Sequence, residues 1–235
     1  MKKVNQLKFG AALSYVSLGV GNVISILYTP IMLRLLGKSE YGLYNLSNSI
    51  VGYLGVLDFG IGNAVIRYTA KYKALEDKDG ESNLYGMFII IYSILAILVM
   101  LAGIFLVNNT YLFFSSSLTT DEITRIQFMM ALMIFNLAIS FPFGIFGAII
   151  TAHEQFIFPK LVAIIRQILN PFVMLPLLLL GYKSLGMTVA TTCINLIFIW
   201  VNAYYCFKVL KIKIKFNHMD FSVLKEIMGY SFLFF

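Results

Sequence analysis

Charge is scarce in this chain. Charged residues make up 12% of its 235 residues and hydrophobic residues 60%, whereas a soluble domain carries about a quarter charged residues. That balance excludes an ordinary soluble domain. Cysteine is scarcer still. Cys193 and Cys206 are the only two, 13 residues apart in one apolar stretch. On one helix they cannot pair, so no disulfide framework exists and nothing follows about an oxidising compartment. The two histidines, His153 and His218, are isolated from each other, and no metal-ligand spacing results.

What the chain has instead is six long apolar stretches, at 10–36, 41–68, 84–107, 126–152, 161–181 and 186–207. Each has about 20 residues or more, enough to cross a hydrocarbon core of about 30 Å at 1.5 Å per residue. Such lengths are too great for transmembrane β-strands. The expected fold is therefore all-α, a polytopic six-helix transmembrane bundle. The connections are short, and no soluble domain fits between spans.

The net charge of +7 raises the possibility of nucleic acid, but its placement argues against that partner. Thirteen of the eighteen Lys and Arg residues fall before span one, at the end of span two and just after it, between spans four and five, or after span six. Only Arg34, Lys38, Arg125 and Lys183 fall on the other side. The positive-inside rule then predicts a cytoplasmic N-terminus and cytoplasmic loops at 71–83, 153–160 and 208–227. The basic segments are suited to anionic lipid headgroups. Segment 71–83 reads as a solvated loop. Segment 208–227 alternates Lys211, Ile212, Lys213, Ile214, Lys215 and Phe216, and reads as a basic connector rather than an interfacial strand. Beyond the six-span unit 1–207, the apolar run at 228–235 resembles the first turns of a seventh helix, cut off, so the chain is expected to be a fragment of a larger transporter or a truncated reading frame.

Small and polar residues recur at steps of three and four, which places them on one helix face. Span one carries Gly10, Ser14, Ser17, Gly21, Ser25 and Thr29. Span two carries Asn45, Asn48, Gly52, Gly55, Asp58 and Gly62. Span four carries Asn136, Ser140, Gly144, Gly147 and Thr151, and span six Thr188, Thr191, Asn195 and Asn202. Span three has no such line and is expected to face lipid. For the glycines, close helix packing is the plainer reading. For the asparagines, whose amides need several partners each, a hydrated cavity is the competing one. Pro30, Pro142, Pro171 and Pro176 fall inside spans, where each removes a helical hydrogen bond.

Two charges stand out, because an ionised group in hydrocarbon costs at least about 2.5–3.5 kcal/mol. Asp58 lies in span two, roughly 15 Å from its cytoplasmic end by helical rise. It is a candidate for binding a coupling proton or cation, or a structural carboxylate. Arg166 lies in span five with Asn170 one turn on. Its guanidinium presents a fork of donors that fits phosphate, so it is a candidate for holding an anion in a cavity. The bland alternative is snorkelling. With Asn48, Asn136 and Asn195, these residues form the expected substrate-binding set. Gly37-Lys38-Ser39 and Asp58-Phe59-Gly60 mimic fragments of nucleotide-enzyme motifs without their context, and no catalytic residue or cofactor is expected.

The spacing Arg34-x-Leu36-Gly37-x-x-x-Tyr41-Gly42-x-Tyr44, followed by Leu57-Asp58-Phe59-Gly60-Ile61-Gly62 and Arg67-Tyr68, resembles the N-terminal part of bacterial polysaccharide-biosynthesis flippases. These belong to the multidrug/oligosaccharidyl-lipid/polysaccharide exporter superfamily. The resemblance implies 12 to 14 helices in two six-helix lobes around a central cationic cavity. It implies flipping of a polyprenyl-diphosphate-linked oligosaccharide across the bacterial cytoplasmic membrane, with a missing C-terminal lobe and polysaccharide-synthesis proteins as partners. Span one departs from lipid II flippases in lacking a mid-span Arg. Two other functions fit the same residues: an ion-coupled small-molecule exporter, for which Asp58 would be the key group, and a non-transporting scaffold.

Overall fold

A computed structural model describes residues 3–217. The expected seventh-helix start at 228–235 and the connector beyond 217 lie outside the described residues. Among the described residues eight α-helices follow one another: α1 (Lys3–Leu36), α2 (Lys38–Gly55), α3 (Ile61–Ala74), α4 (Lys78–Asn108), α5 (Thr110–Phe114), α6 (Thr120–Ala152), α7 (Ile157–Leu179) and α8 (Lys183–Tyr204). With α2 and α3 taken as one bent span, the described residues contain six spans long and apolar enough to cross a membrane. The protein is a multi-pass membrane protein with an all-α fold.

Local chemistry sets the helix ends. Thr119 caps α6 in a reciprocal box with Glu122: the Glu122 amide donates to Thr119 Oγ1 (3.4 Å) and the Thr119 amide to Glu122 Oε2 (3.0 Å). Asp77 caps α4 by accepting from the Gly80 amide at 2.8 Å. These caps start the helices well beyond the apolar stretches. The segment 71–83, read as a solvated loop, is therefore almost wholly helix, with only residues 75–77 between α3 and α4.

Span two differs from the expected continuous helix. It breaks at a 3-10 turn, Val56–Asp58, followed by two left-handed residues, Phe59 (φ 48°) and Gly60 (φ 69°). A left-handed residue ends helical propagation, and glycine adopts that conformation without a Cβ clash. The Asp58-Phe59-Gly60 triplet is thus a hinge-like corner between α2 and α3.

The bundle is built around α6, which packs against α2, α3, α4 and α8; α1 pairs chiefly with α7. The core is dense along the bundle: Val65, Tyr68, Tyr85, Phe88, Ile126, Met129, Met130, Ile145, Ile149 and Ile150 are all but fully buried. Span three, α4, is not the simple lipid-facing helix its lack of a polar line led us to expect. Its most extensive pairing is with α6, and Tyr85, Phe88, Tyr92 and Val99 are buried there. The most exposed span is α1, where 6% of the apolar window is buried against 17% for α4. An apolar side chain serves a protein core and a lipid face equally well, so apolarity alone does not separate the two.

The basic segment after α8 is docked rather than free. Ile212 and Ile214 pack on the core, and the Lys215 amide donates to the Ser82 carbonyl at 3.0 Å. Lys215 Nζ reaches Asp79 Oδ1 at 2.6 Å. Alternation therefore turns the isoleucines, partly buried, toward the core and leaves Lys211 and Lys213 exposed.

Candidate functional site: a polar cavity between spans two, four and six

A cavity of about 270 Å³ opens among α2, α6 and α8, with α7 reaching it through Arg166. α2 contributes Tyr44, Asn48, Val51, Gly52 and Gly55; α6 contributes Met133, Asn136, Leu137 and Ser140; α8 contributes Thr188, Thr191, Thr192 and Asn195. The stripes on spans two, four and six thus converge on one space. Asn48, Asn136, Asn195 and Arg166 all line it.

Asn195 is the centre of its polar wall. Its Nδ2 donates to Asn136 Oδ1 at 2.6 Å and to Ser140 Oγ at 2.8 Å, joining α8 to α6. Ser140 Oγ in turn donates to the backbone carbonyl of Asn136 at 2.7 Å. Thr188, Thr191 and Thr192 donate back to carbonyls one turn earlier, at 3.0, 2.8 and 2.9 Å. A hydroxyl that donates to its own helix keeps acceptor capacity on oxygen. Asn48 likewise donates to the Tyr44 carbonyl at 3.0 Å, and its Oδ1 accepts no hydrogen bond from the described residues. The wall offers amide donors and oxygen acceptors side by side, an arrangement that suits hydroxyl-bearing ligands.

Arg166 is the one charged group among the described lining residues. It is half-buried, and no carboxylate among the described residues pairs with it. An unpaired guanidinium at membrane depth demands water or an anion, and its donor fork matches phosphate.

Two predicted site residues lie elsewhere. Asn170 is absent from the lining, and its Oδ1 is buried with no hydrogen-bond partner. Asp58 sits at the α2–α3 corner outside the lining, close enough to interact with the Tyr92 hydroxyl of α4. Tyr92 in turn packs on Phe141 of α6, ring centroids 6.2 Å apart. The span-one stripe also serves another purpose. Ser17 and Gln167 bond to each other, with Gln167 Nε2 donating to Ser17 Oγ at 3.1 Å, and a Cβ on Gly10 would stand 2.6 Å from Phe156 Cβ. That stripe packs on α7. Gly52, Gly55, Gly144 and Gly147 do the opposite: a Cβ on any of them would meet nothing within 4 Å. Close packing does not explain those four, and Gly52 and Gly55 widen the cavity instead.

Sequence reasoning passed over Gln167, Thr192 and Glu40. Glu40 sits at the lysine-poor end, 7% exposed, where it bonds Arg125 of α6 and Ser184 of α8. Its signal was an acid flanked by aromatic and small residues at a span entrance, with an arginine at the entrance of span four.

A family profile described as "Polysaccharide biosynthesis protein" matches residues 8–235. The chain belongs to this polysaccharide biosynthesis protein family. Solved structures share the fold. A MATE crystal structure in complex with MaD3S superposes with a TM-score of 0.76 at 18% identity, covering 99% of this chain and 55% of that one. An outward-facing multidrug resistance MATE family transporter of the MOP superfamily gives 0.74 at 17%, covering 97% and 53%. A MOP superfamily transporter from Pyrococcus furiosus, whose reversed pocket polarity was taken to suggest a different function, gives 0.72 at 18%, covering 99% and 54%. The chain spans about half the length of these structures. The comparison with curated proteins found no match.

Proposed function

We propose that this family member contributes one lobe of a flippase that moves polyprenyl-diphosphate-linked oligosaccharide repeat units across the bacterial cytoplasmic membrane, N-terminus inside. The observation that carries this reading is the chemistry of the cavity: one unpaired guanidinium, no carboxylate, and a wall of amides and hydroxyls. A diphosphate supplies the anion that Arg166 lacks. Sugar hydroxyls both donate and accept, as the Asn136, Asn195 and threonine groups require. The polysaccharide description of the family supports the same substrate class. A cationic cargo would meet Arg166 with no opposing charge.

Transport of this kind forms its site between two repeats that rock against each other. A second lobe is therefore the first partner, with membrane lipids and polysaccharide-synthesis proteins around it. An ion-coupled exporter of small molecules is the second reading, favoured by the Asp58–Tyr92 contact outside the cavity, where a coupling cation would not compete with cargo. The deciding experiment is complementation of surface polysaccharide in a strain lacking its own flippase. Restored polysaccharide supports the first reading. No polysaccharide, combined with Asp58-dependent efflux of small molecules from vesicles, would replace it with the second.

A further inference from the structure

The lysine-poor end of the bundle holds a second polar assembly that the transport reading above does not use. Glu40 is in the first turn of α2, Arg125 in the second turn of α6 and Ser184 in the first turn of α8. Arg125 Nη1 donates to Glu40 Oε1, and Ser184 Oγ donates to Glu40 Oε2. One carboxylate thus ties together three helices, and they supply all of the cavity lining except Arg166. Glu40 is 7% exposed and Ser184 fully buried.

The register of this assembly is what gives it meaning. Tyr44 and Asn48 follow Glu40 at steps of four, and Thr188 follows Ser184 at the same step. Residues four apart on a helix share a face about 6 Å along its axis. Glu40 and Ser184 therefore sit one turn beyond the first cavity residues of α2 and α8, on the same faces. Thr188 Oγ1 donates to the Ser184 carbonyl at 3.0 Å, linking the two layers directly. A buried ion pair is weak evidence for stability, because desolvation offsets its attraction. Its best-attested role is to fix register between elements.

We propose that Glu40 is a positioning residue for transport, the centre of a clip with Arg125 and Ser184 that closes the lysine-poor end of the cavity and fixes the spacing of its three walls. The clip acts on access and geometry and touches no cargo. A second link runs along the rim, where Ser39 Oγ donates to Glu122 Oε1 at 2.6 Å, but it is exposed and joins only α2 to α6. It ties two walls and leaves α8 free, so it does not close the cavity.

The test reads access without substrate, so its outcome is independent of what the cavity carries. Thr191→Cys in a Cys193→Ser background places one reporter thiol in the cavity; Cys206 is buried. A membrane-impermeant maleimide is applied to membranes from the side opposite the lysine-rich end. Glu40→Gln and Arg125→Gln should each raise the labelling rate about tenfold, within the 5–150-fold range typical of coupling through a two-state element. The exchange Glu40→Arg with Arg125→Glu should bring the rate back, and Ser39→Ala should leave it unchanged. Lower thermal stability with an unchanged labelling rate would reduce the clip to a structural tie and overturn the proposal, as would acceleration that the exchange fails to reverse. Should Glu40→Gln fail to reach the membrane, Ser184→Ala removes one arm of the clip and is read in the same way.

Discussion

At the scale of single residues, the cavity sets one cationic group, Arg166, apart from a wall of amides and hydroxyls. No carboxylate among the described residues pairs with Arg166, so its loss breaks no ion pair there and, on the proposed function, removes a contact with the diphosphate. Arg166→Ala should lower export by about ten- to a hundredfold, from ~1.5–3 kcal/mol for a hydrogen bond to a charged group. Arg166→Lys, which keeps charge but loses the planar fork, should fall between. Surface-polysaccharide yield at matched protein level measures both, and full yield from Arg166→Ala would take the residue out of the site. Asn195 behaves differently because its amide ties α8 to α6. Interhelical hydrogen bonds in membranes average about 0.6 kcal/mol, so Asn195→Ala should cost only about 1 kcal/mol of stability while impairing export more than that cost implies. Thermal unfolding in detergent alongside export separates the two effects.

At the scale of helices, glycines with one sequence appearance have two physical roles. A Cβ on Gly86 would run into the Lys215 carbonyl of the docked basic segment, whereas one on Gly147 would meet nothing within 4 Å. Gly86→Ala should therefore lift that segment and destabilise by about 1–3 kcal/mol, seen as faster tryptic cleavage at Lys211 and Lys213. Gly147→Ala should be neutral or stabilising by about 0.5–1 kcal/mol. Equal protease sensitivity of the two variants would contradict the docking. The contrast also marks how far the sequence was legible. Six spans and the polar stripes of spans two, four and six were readable, since period and length are local properties. Which stripe faces a neighbour and which faces a cavity was not, because it depends on the partner helix: Gly10 and Ser17 repeat as regularly as Gly52 and Asn48. Asn170 shares a face with Arg166 by spacing, yet α7 brings only Arg166 into the lining. Glu40 was missed because a carboxylate at a span entrance looks like an interfacial residue until Arg125 and Ser184 are seen beside it.

At the scale of the molecule, eleven Lys and Arg residues among the described residues gather at one end of the bundle and four at the other. Single cysteines placed at positions 78, 118 and 213 should react with an impermeant reagent from outside the cell only at 118; outside labelling at 78 would invert the orientation. The chain spans about half of the solved structures it resembles. Residues 1–235 expressed alone should enter the membrane and leave export unrestored, and restored export would mean that two copies rebuild the two-lobed arrangement.

The corner at Asp58, Phe59 and Gly60 gives the second span two mechanical identities. Below it, α3 is anchored by Ile61, Ala64, Val65, Tyr68 and Thr69, all buried within 14 residues. Above it, α2 carries the cavity residues on a helix with only four buried positions in 18. A rigid rod through both would drag the packed foundation with every tilt of the cavity wall. A joint at the boundary would let the upper arm tilt like a lever on a fixed post, altering the width of the recess without unpacking the foundation.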